Sequence, residues 1–279
     1  MELQREPEIH SVFSQPISEK FRDLVSEEPR KEKLFAFGEL HSWNSKRTDE
    51  LMNSLREAIR KEKPTHVVCT GDFDHPSMVI AWEKLEKELK NKGIAVITTP
   101  GNHDFDLVGE KQGSASFRVG GNQRSDSLST LQREYEKMPG AKEYLRKLFE
   151  NYSGALELSF AGKKLRIVHG IDSNNAKEST EGRLYSKGIP KKEEHEEAHD
   201  GLQKKNAEIL LRGHDHLQAV SSRKNNSLDY KVRGANGESP HSLEGETHVI
   251  TNGLFYDGKY AVLTAENNKL LLKFKRAFS

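Results

Sequence analysis

Residues 34–41, 67–74 and 94–104 read LFAFGELH, VVCTGDFD and IAVITTPGNHD. Each is a short apolar run that breaks off at a glycine followed by acidic, imidazole or amide side chains. Two segments of helical period lie between them. Leu51, Leu55 and Ile59 form one apolar stripe after Thr48, which is placed to cap a helix with Asp49 and Glu50 in its first turn. Met78, Trp82, Leu85 and Leu89 form a second stripe between a capping Ser77 and a terminating Gly93. Strand, helix, strand, helix, strand in this order predicts βαβ units and a parallel sheet. In such sheets ligand-binding residues gather in the loops beyond the carboxyl ends of the strands, and that is where these polar residues fall.

Downstream, the pattern changes. Residues 105–151 interrupt it with a Gly- and Ser-rich stretch, Gly113–Ser127, and helical periods near Leu128–Lys137 and Ala141–Asn151. This segment, about 106–152, reads as an inserted lid or cap. Leu156–Phe160 and Lys164–Val168 predict a hairpin around Ala161–Gly162, and Ile209–Leu211 predicts a further strand. Val249–Thr251, Lys259–Thr264 and Leu270–Lys275 read as closing strands of a mostly antiparallel sheet. Ile171–Pro190 is polar and loop-like. Lys191–Lys205 reads as a charged helix, on which His195 and His199 stand at i, i+4 within a solvated face. Residues 1–32 read as a polar leader with a short helix near Ser18–Val25, which leaves 33–279 as one domain.

Composition narrows the function classes. The 279 residues carry 44 Lys plus Arg against 43 Asp plus Glu, a net charge of +1. Such a balance gives no global field for nucleic acid or an anionic membrane. No stretch approaches the roughly 18 apolar residues of a membrane span, and the charged start has no apolar core of a secretory signal. The expected location is therefore the cytoplasm. The one cysteine, Cys69, sits inside an apolar strand and excludes an intrachain disulfide.

Five polar clusters follow five predicted strands. In an extended segment residues i and i+2 point the same way, so Glu39 and His41 can grip one ion from one side. Asp72 offers two carboxylate oxygens and can bridge two cations. Asn102 and His103 are adjacent and diverge, so one can face a metal and the other a substrate. His169 follows Leu165–Val168, and His214 and His216 again share i, i+2 spacing after Gly213. Carboxylate, imidazole and amide donors without thiolate suit Mn, Fe, Zn or Co more than a cysteine-type structural zinc site.

The order Glu-x-His, Gly-Asp, Gly-Asn-His-Asp, His-Gly, Gly-His-Asp-His, from Gly38 to His216, resembles the calcineurin-like metallophosphoesterase superfamily. The resemblance implies a mixed α/β fold, a four-layer α/β/β/α sandwich of two mixed sheets flanked by helices. It implies two divalent metal ions, with Mn²⁺ first and Fe, Zn, Co or Mg as alternatives. Glu39, His41, Asp72 and His216 would hold one; Asp72, Asn102, His169 and His214 would hold the other. The family motif begins with Asp where this chain has Glu39, one methylene longer.

The activity so implied is hydrolysis of a phosphate mono- or diester by a water or hydroxide between the two metals. His103, held protonated by Asp104, would give its proton to the leaving group. The expected substrate is a phosphorylated small molecule or nucleotide. A DNA or RNA nuclease of the same superfamily is the first alternative and a non-catalytic scaffold the second. His75, Arg118 and Arg124 stand as further candidates for substrate contact.

Overall fold

β1 (Lys33–Phe37), β2 (His66–Cys69) and β3 (Ala95–Thr98) pair in parallel, with Phe35 opposite Val67 and Val67 opposite Val96. Val, Phe, Ile and Cys runs of four or five residues suit strands buried on both faces. The helices that cross between them are α1 (Ser45–Glu62) and α2 (Pro76–Asn91). The coordinates are a computed structural model that describes residues 32–104, 125–152, 154–170, 192–233, 240–266 and 269–278. The expected leader, the Gly- and Ser-rich start of the insertion with Arg118 and Arg124, and the loop at 171–190 lie outside the described residues.

Both helices begin earlier than their apolar stripes suggest. Asn44 caps α1, its Oδ1 accepting the Arg47 N–H at 2.9 Å, and Lys63 ends it in the left-handed region. His75 caps α2, with Pro76 in the first turn and the Ser77 N–H donated to its Nδ1. Thr48 and Ser77 are thus not caps. They bond to each other through their hydroxyls at 2.8 Å, and Thr48 bonds Ser42 at 2.8 Å, which ties the two helix starts to the first loop.

The remaining elements are α3 (Ser125–Lys137), α4 (Pro139–Glu150), β4 (Leu156–Phe160), β5 (Lys163–Val168), α5 (Lys192–Lys204), β6 (Ile209–Arg212), β7 (Gln218–Lys224), β8 (Ser227–Arg233), β9 (His241–Ser242), β10 (Thr247–Asn252), β11 (Lys259–Glu266) and β12 (Lys269–Arg276). Among the described residues they form two six-stranded mixed sheets, ordered β3-β2-β1-β11-β12-β9 and β4-β5-β6-β10-β7-β8. The three closing strands expected in one antiparallel sheet are divided. β11 and β12 extend the first sheet, whereas β10 lies parallel to β6 in the second. The β7–β8 hairpin has no counterpart among the expected strands. Its strands are polar, and its signal is the Asn225–Asn226 turn, both residues at positive φ as a tight hairpin requires.

Alternation along the strands builds three apolar layers. Phe35, Phe37, Val67 and Cys69 face α1, α2 and the helices of the insertion. Leu34, Ala36 and Val68 face Ile167, Leu211 and Ile250 of the other sheet. Val168, Leu210 and Val249 face Ala198 and Leu202 of α5. Helix, sheet, sheet, helix is the four-layer sandwich expected. Leu131, Tyr135, Ala141 and Leu145 of α3 and α4 join the first layer, and Tyr144 Oη–H donates to Glu86 of α2 at 2.7 Å.

The charged helix α5 does not place its histidines in solvent. His195 and His199 are fully buried against the second sheet. Ser221 Oγ lies 2.6 Å from His195 Nδ1 and 2.9 Å from His199 Nε2, and Thr247 Oγ1 lies 2.7 Å from His199 Nδ1. The charged residues around them in sequence mask the face that packs on the sheet. Burial, with Arg212 beside His195 and Arg223 beside His199, lowers both imidazoles from 6.5 to about 3.

Below pH 6.5 the unfolded chain therefore binds more protons than the folded one, so stability is complete above that pH and declines as pH falls. The slope approaches about 1.4 kcal/mol per pH unit for each imidazole. Urea midpoints measured from pH 7.5 to 5 should fall in the wild type and fall less in a His195→Asn, His199→Gln variant; an equal fall would remove these imidazoles as its source.

Candidate metal centre

Five loops leave the carboxyl ends of β1, β2, β3, β5 and β6, and the parallel pairings bring them to one edge of the two sheets. Backbone bonds lock them together. The Glu39 N–H donates to Gly71 and the Leu40 N–H to Asp72, each at 3.0 Å, and the Gly213 N–H donates to His169 at 3.1 Å. Asn252, at the end of β10, donates to Thr70 Oγ1 at 3.1 Å from the second sheet to the first.

The backbone there is strained. Glu39, His41, Asp72, Asp74, His214 and His216 all have φ between 42° and 71°. A left-handed L residue costs on the order of 1–2 kcal/mol, and such strain persists only where the surroundings enforce it. Two motif glycines make the close approach feasible. A Cβ on Gly101 would lie 1.9 Å from Asp72 Oδ1, and one on Gly213 would lie 2.7 Å from Glu39 Oε1.

The side chains converge in two groups. In the first, His41 Nε2 lies 3.1 Å from Glu39 Oε2 and 3.1 Å from His216 Nε2, and Glu39 Oε2 lies 3.2 Å from His216 Nε2. In the second, His169 Nε2 lies 2.9 Å from Asn102 Oδ1, 3.2 Å from His214 Nδ1 and 3.3 Å from Asp72 Oδ2. Asp72 Oδ2 also stands 4.0 Å from His41 Nε2, between the groups.

Outer contacts decide which ring nitrogens face inward. His169 Nδ1–H donates to the Thr70 carbonyl at 2.6 Å, and His41 Nδ1–H to Asp74 Oδ2 at 3.0 Å. Each Nε2 is left with its lone pair toward carboxylate, amide oxygen or imidazole. Acceptors facing acceptors at 3 Å need a cation among them. In its absence a proton takes that part. Burial opposes charge on His169, yet Asp72 and Glu39 raise it to about 9, and Asp74 and Glu39 likewise hold His41 well above 6.5. Burial also opposes charge on Glu39, but His169, His216 and His41 hold it well below the usual carboxylate range. These donor sets fit divalent cations.

Glu39 uses its extra methylene. Its Oε1 accepts the His214 N–H at 2.5 Å while Oε2 reaches His41 and His216, so one buried carboxylate joins the first loop to the fifth. The longer side chain is therefore accommodated within the cluster.

Asp104 is placed otherwise than the sequence suggests. Its carboxylate accepts the backbone N–H groups of Gly101, Asp72 and Phe73, each at 2.9 Å, and does not hold His103. Adjacent side chains diverge, and Asp104 turns inward under the loops. The partner of His103 is Asp74, whose Oδ1 accepts from His103 Nδ1–H at 2.7 Å while Oδ2 accepts from His41. Burial lowers His103, but Asp74 and Asp72 outweigh it and raise the ring to about 9. Sequence reasoning gives Asp74 no part in the site; its i, i+2 relation to Asp72 is the available signal. His75 is occupied in capping α2.

A calcineurin-like phosphoesterase family model matches residues 33–218. Among solved structures, a metallophosphoesterase from Sphaerobacter thermophilus is similar at 12% identity and a TM-score of 0.53, over 88% of each chain. A hypothetical protein from Pyrococcus horikoshii is similar at 15% identity and a TM-score of 0.53, over 88% of this chain and 87% of that one. At these identities the likeness is one of fold. No curated protein matches the chain.

Gly213→Ala should weaken divalent-cation binding and lower stability by about 1–3 kcal/mol, because the new methyl displaces Glu39 or Thr70. Calorimetric titration and urea unfolding check this; wild-type affinity in the variant would show that the loop has room to spare.

Proposed function

The chain belongs to the calcineurin-like phosphoesterase family, and from that premise we propose that it hydrolyses phosphate mono- or diesters with two divalent cations, Mn²⁺ first among them. The observation that carries this reading is the convergence of carboxylate, imidazole and amide donors from five loops in two groups, Glu39, His41, His216 and Asp72, Asn102, His169, His214. Glu39, His41, Asp72 and His216 would hold one cation, and Asp72, Asn102, His169 and His214 the other. When bound, the pair neutralises the phosphoryl oxygens and lowers the pKa of the attacking water.

The chain's own groups supply the rest. Asp74 fixes the ring of His103 through Nδ1 and favours its charged form, which leaves Nε2–H as the proton to deliver to the departing oxygen. The same carboxylate orients His41, so one residue links cation binding to proton delivery. Asp104 anchors three backbone amides of the second and third loops and acts by holding Asp72 in place. The helices of the insertion pack on α2, with Tyr144 of α4 bonded to Glu86.

An alkyl leaving group needs that proton and a nitrophenolate does not. His103→Ala should lower kcat by about 10²–10⁴ on an alkyl phosphate and far less on p-nitrophenyl phosphate. Equal losses on both esters would take the proton away from His103. The active form of His103 is protonated, so kcat should fall as pH rises through its pKa. Asp74→Asn removes the charge that raises this pKa and should move the falling limb to lower pH, read from kcat profiles with Mn²⁺ at saturation; an unmoved limb would assign the titration to another group.

A further inference from the structure

Arg212 is one of the largest fully buried side chains among the described residues, 1% exposed. It ends β6, paired to Val168 of β5 and Thr251 of β10. Ile209 and Leu211 face the other sheet and Leu210 faces α5, so alternation turns Arg212 to the α5 side, away from the cations' side. Its Nη2 meets Asp215 Oδ2 at 2.6 Å, and the Asp215 side chain is wholly buried. Asp215 is the residue between His214 and His216.

The turn between them is tight and strained. The Asp215 N–H returns to the Gly213 carbonyl at 2.9 Å. His214 and His216 flank it at φ 71° and 57°. Neither residue prefers that conformation, and a loop this short has nothing apolar of its own to hold it. A buried ion pair is costly to desolvate and seldom retained for stability alone. Here it pulls the middle side chain of a three-residue segment to one side of the sheet, which leaves the two flanking imidazoles on the other.

We propose that the Arg212–Asp215 pair is a positioning device that holds His214 and His216 in their ligating conformation. The inference rests on the reading of these histidines as cation ligands. It assigns Arg212 and Asp215 no contact with substrate. Lys259 Nζ–H, donating to the His216 carbonyl at 3.3 Å, braces the same loop from the rim.

The test compares the wild type with Asp215→Asn and with a double Arg212→Met, Asp215→Leu variant, which fills the same volume without charge. A merely structural pair would be replaced by apolar packing with site and fold both kept. A positioning pair predicts that the double variant folds with a Tm near the wild type but binds Mn²⁺ about 10–100-fold more weakly by calorimetric titration. In the metal-free protein its amides at 213–217 should exchange hydrogen roughly tenfold faster, with β5 and β10 unchanged. Wild-type affinity and wild-type exchange in the double variant would overturn the proposal. If the double variant does not fold, Asp215→Asn takes its place: weaker binding and faster exchange support the proposal, and wild-type values of both overturn it. If the wild type itself binds no Mn²⁺, the proposed function fails while exchange at 213–217 still decides whether the pair positions the loop.

Discussion

His169 Nε2 and Asn102 Oδ1 face each other across 2.9 Å, and with the Thr70 carbonyl holding the proton on His169 Nδ1 a neutral ring has no hydrogen to place between them. That contact is unfavourable unless a positive charge sits beside it. A neutral His41, its Nδ1–H held by Asp74, likewise turns an Nε2 lone pair toward the Glu39 carboxylate. Much of the surrounding structure serves to keep such mutually repelling groups together. Outer bonds from Asp74 and Thr70 fix the tautomers. Glu39 and Asp72 supply negative charge, and burial keeps water from dispersing it.

The sheets are the means of assembly. Parallel strands align their carboxyl ends, and two such sheets face to face align two sets of them, so five loops distant in sequence share one edge. Packing between Leu34, Val68, Leu211 and Ile250 makes that alignment rigid. Rigidity is needed because these side chains sit on a backbone that resists its own conformation. Left-handed φ at six of these positions is held by cross-loop amide bonds, by the Asp104 carboxylate beneath Gly101 and Asp72, and by glycines where a methyl group would collide. Strain, electrostatic repulsion and buried charge are concentrated here, and the apolar layers offset them elsewhere.

Much of this is legible in the chain. The three runs that end in GELH, GDFD and GNHD announce parallel strands and their polar loops at once, because apolar length and glycine position are local signals. What depends on tertiary contact is less so. Asn44 and His75 as caps lie outside the apolar stripes that define the helices. The β7–β8 hairpin is polar and shows itself only in Asn225–Asn226. His195 and His199 read as solvated because their neighbours in sequence are charged, although one face of α5 is covered by the sheet. Asp74 takes the part expected of Asp104, since the direction of a side chain after a tight turn is set by which backbone amides it meets. Glu39 in place of Asp is visible, but its second oxygen's bond to the His214 amide needs the fifth loop to be in place.

The central claim is that these loops form a pair of cation sites sharing Asp72. The most direct measurement is anomalous diffraction from crystals grown with Mn²⁺. Two peaks are predicted, one among Glu39, His41 and His216 and one among Asn102, His169 and His214, with Asp72 reaching both. A site without bound ions at saturating Mn²⁺, or a lone ion that leaves Asp72 uncoordinated, would contradict it.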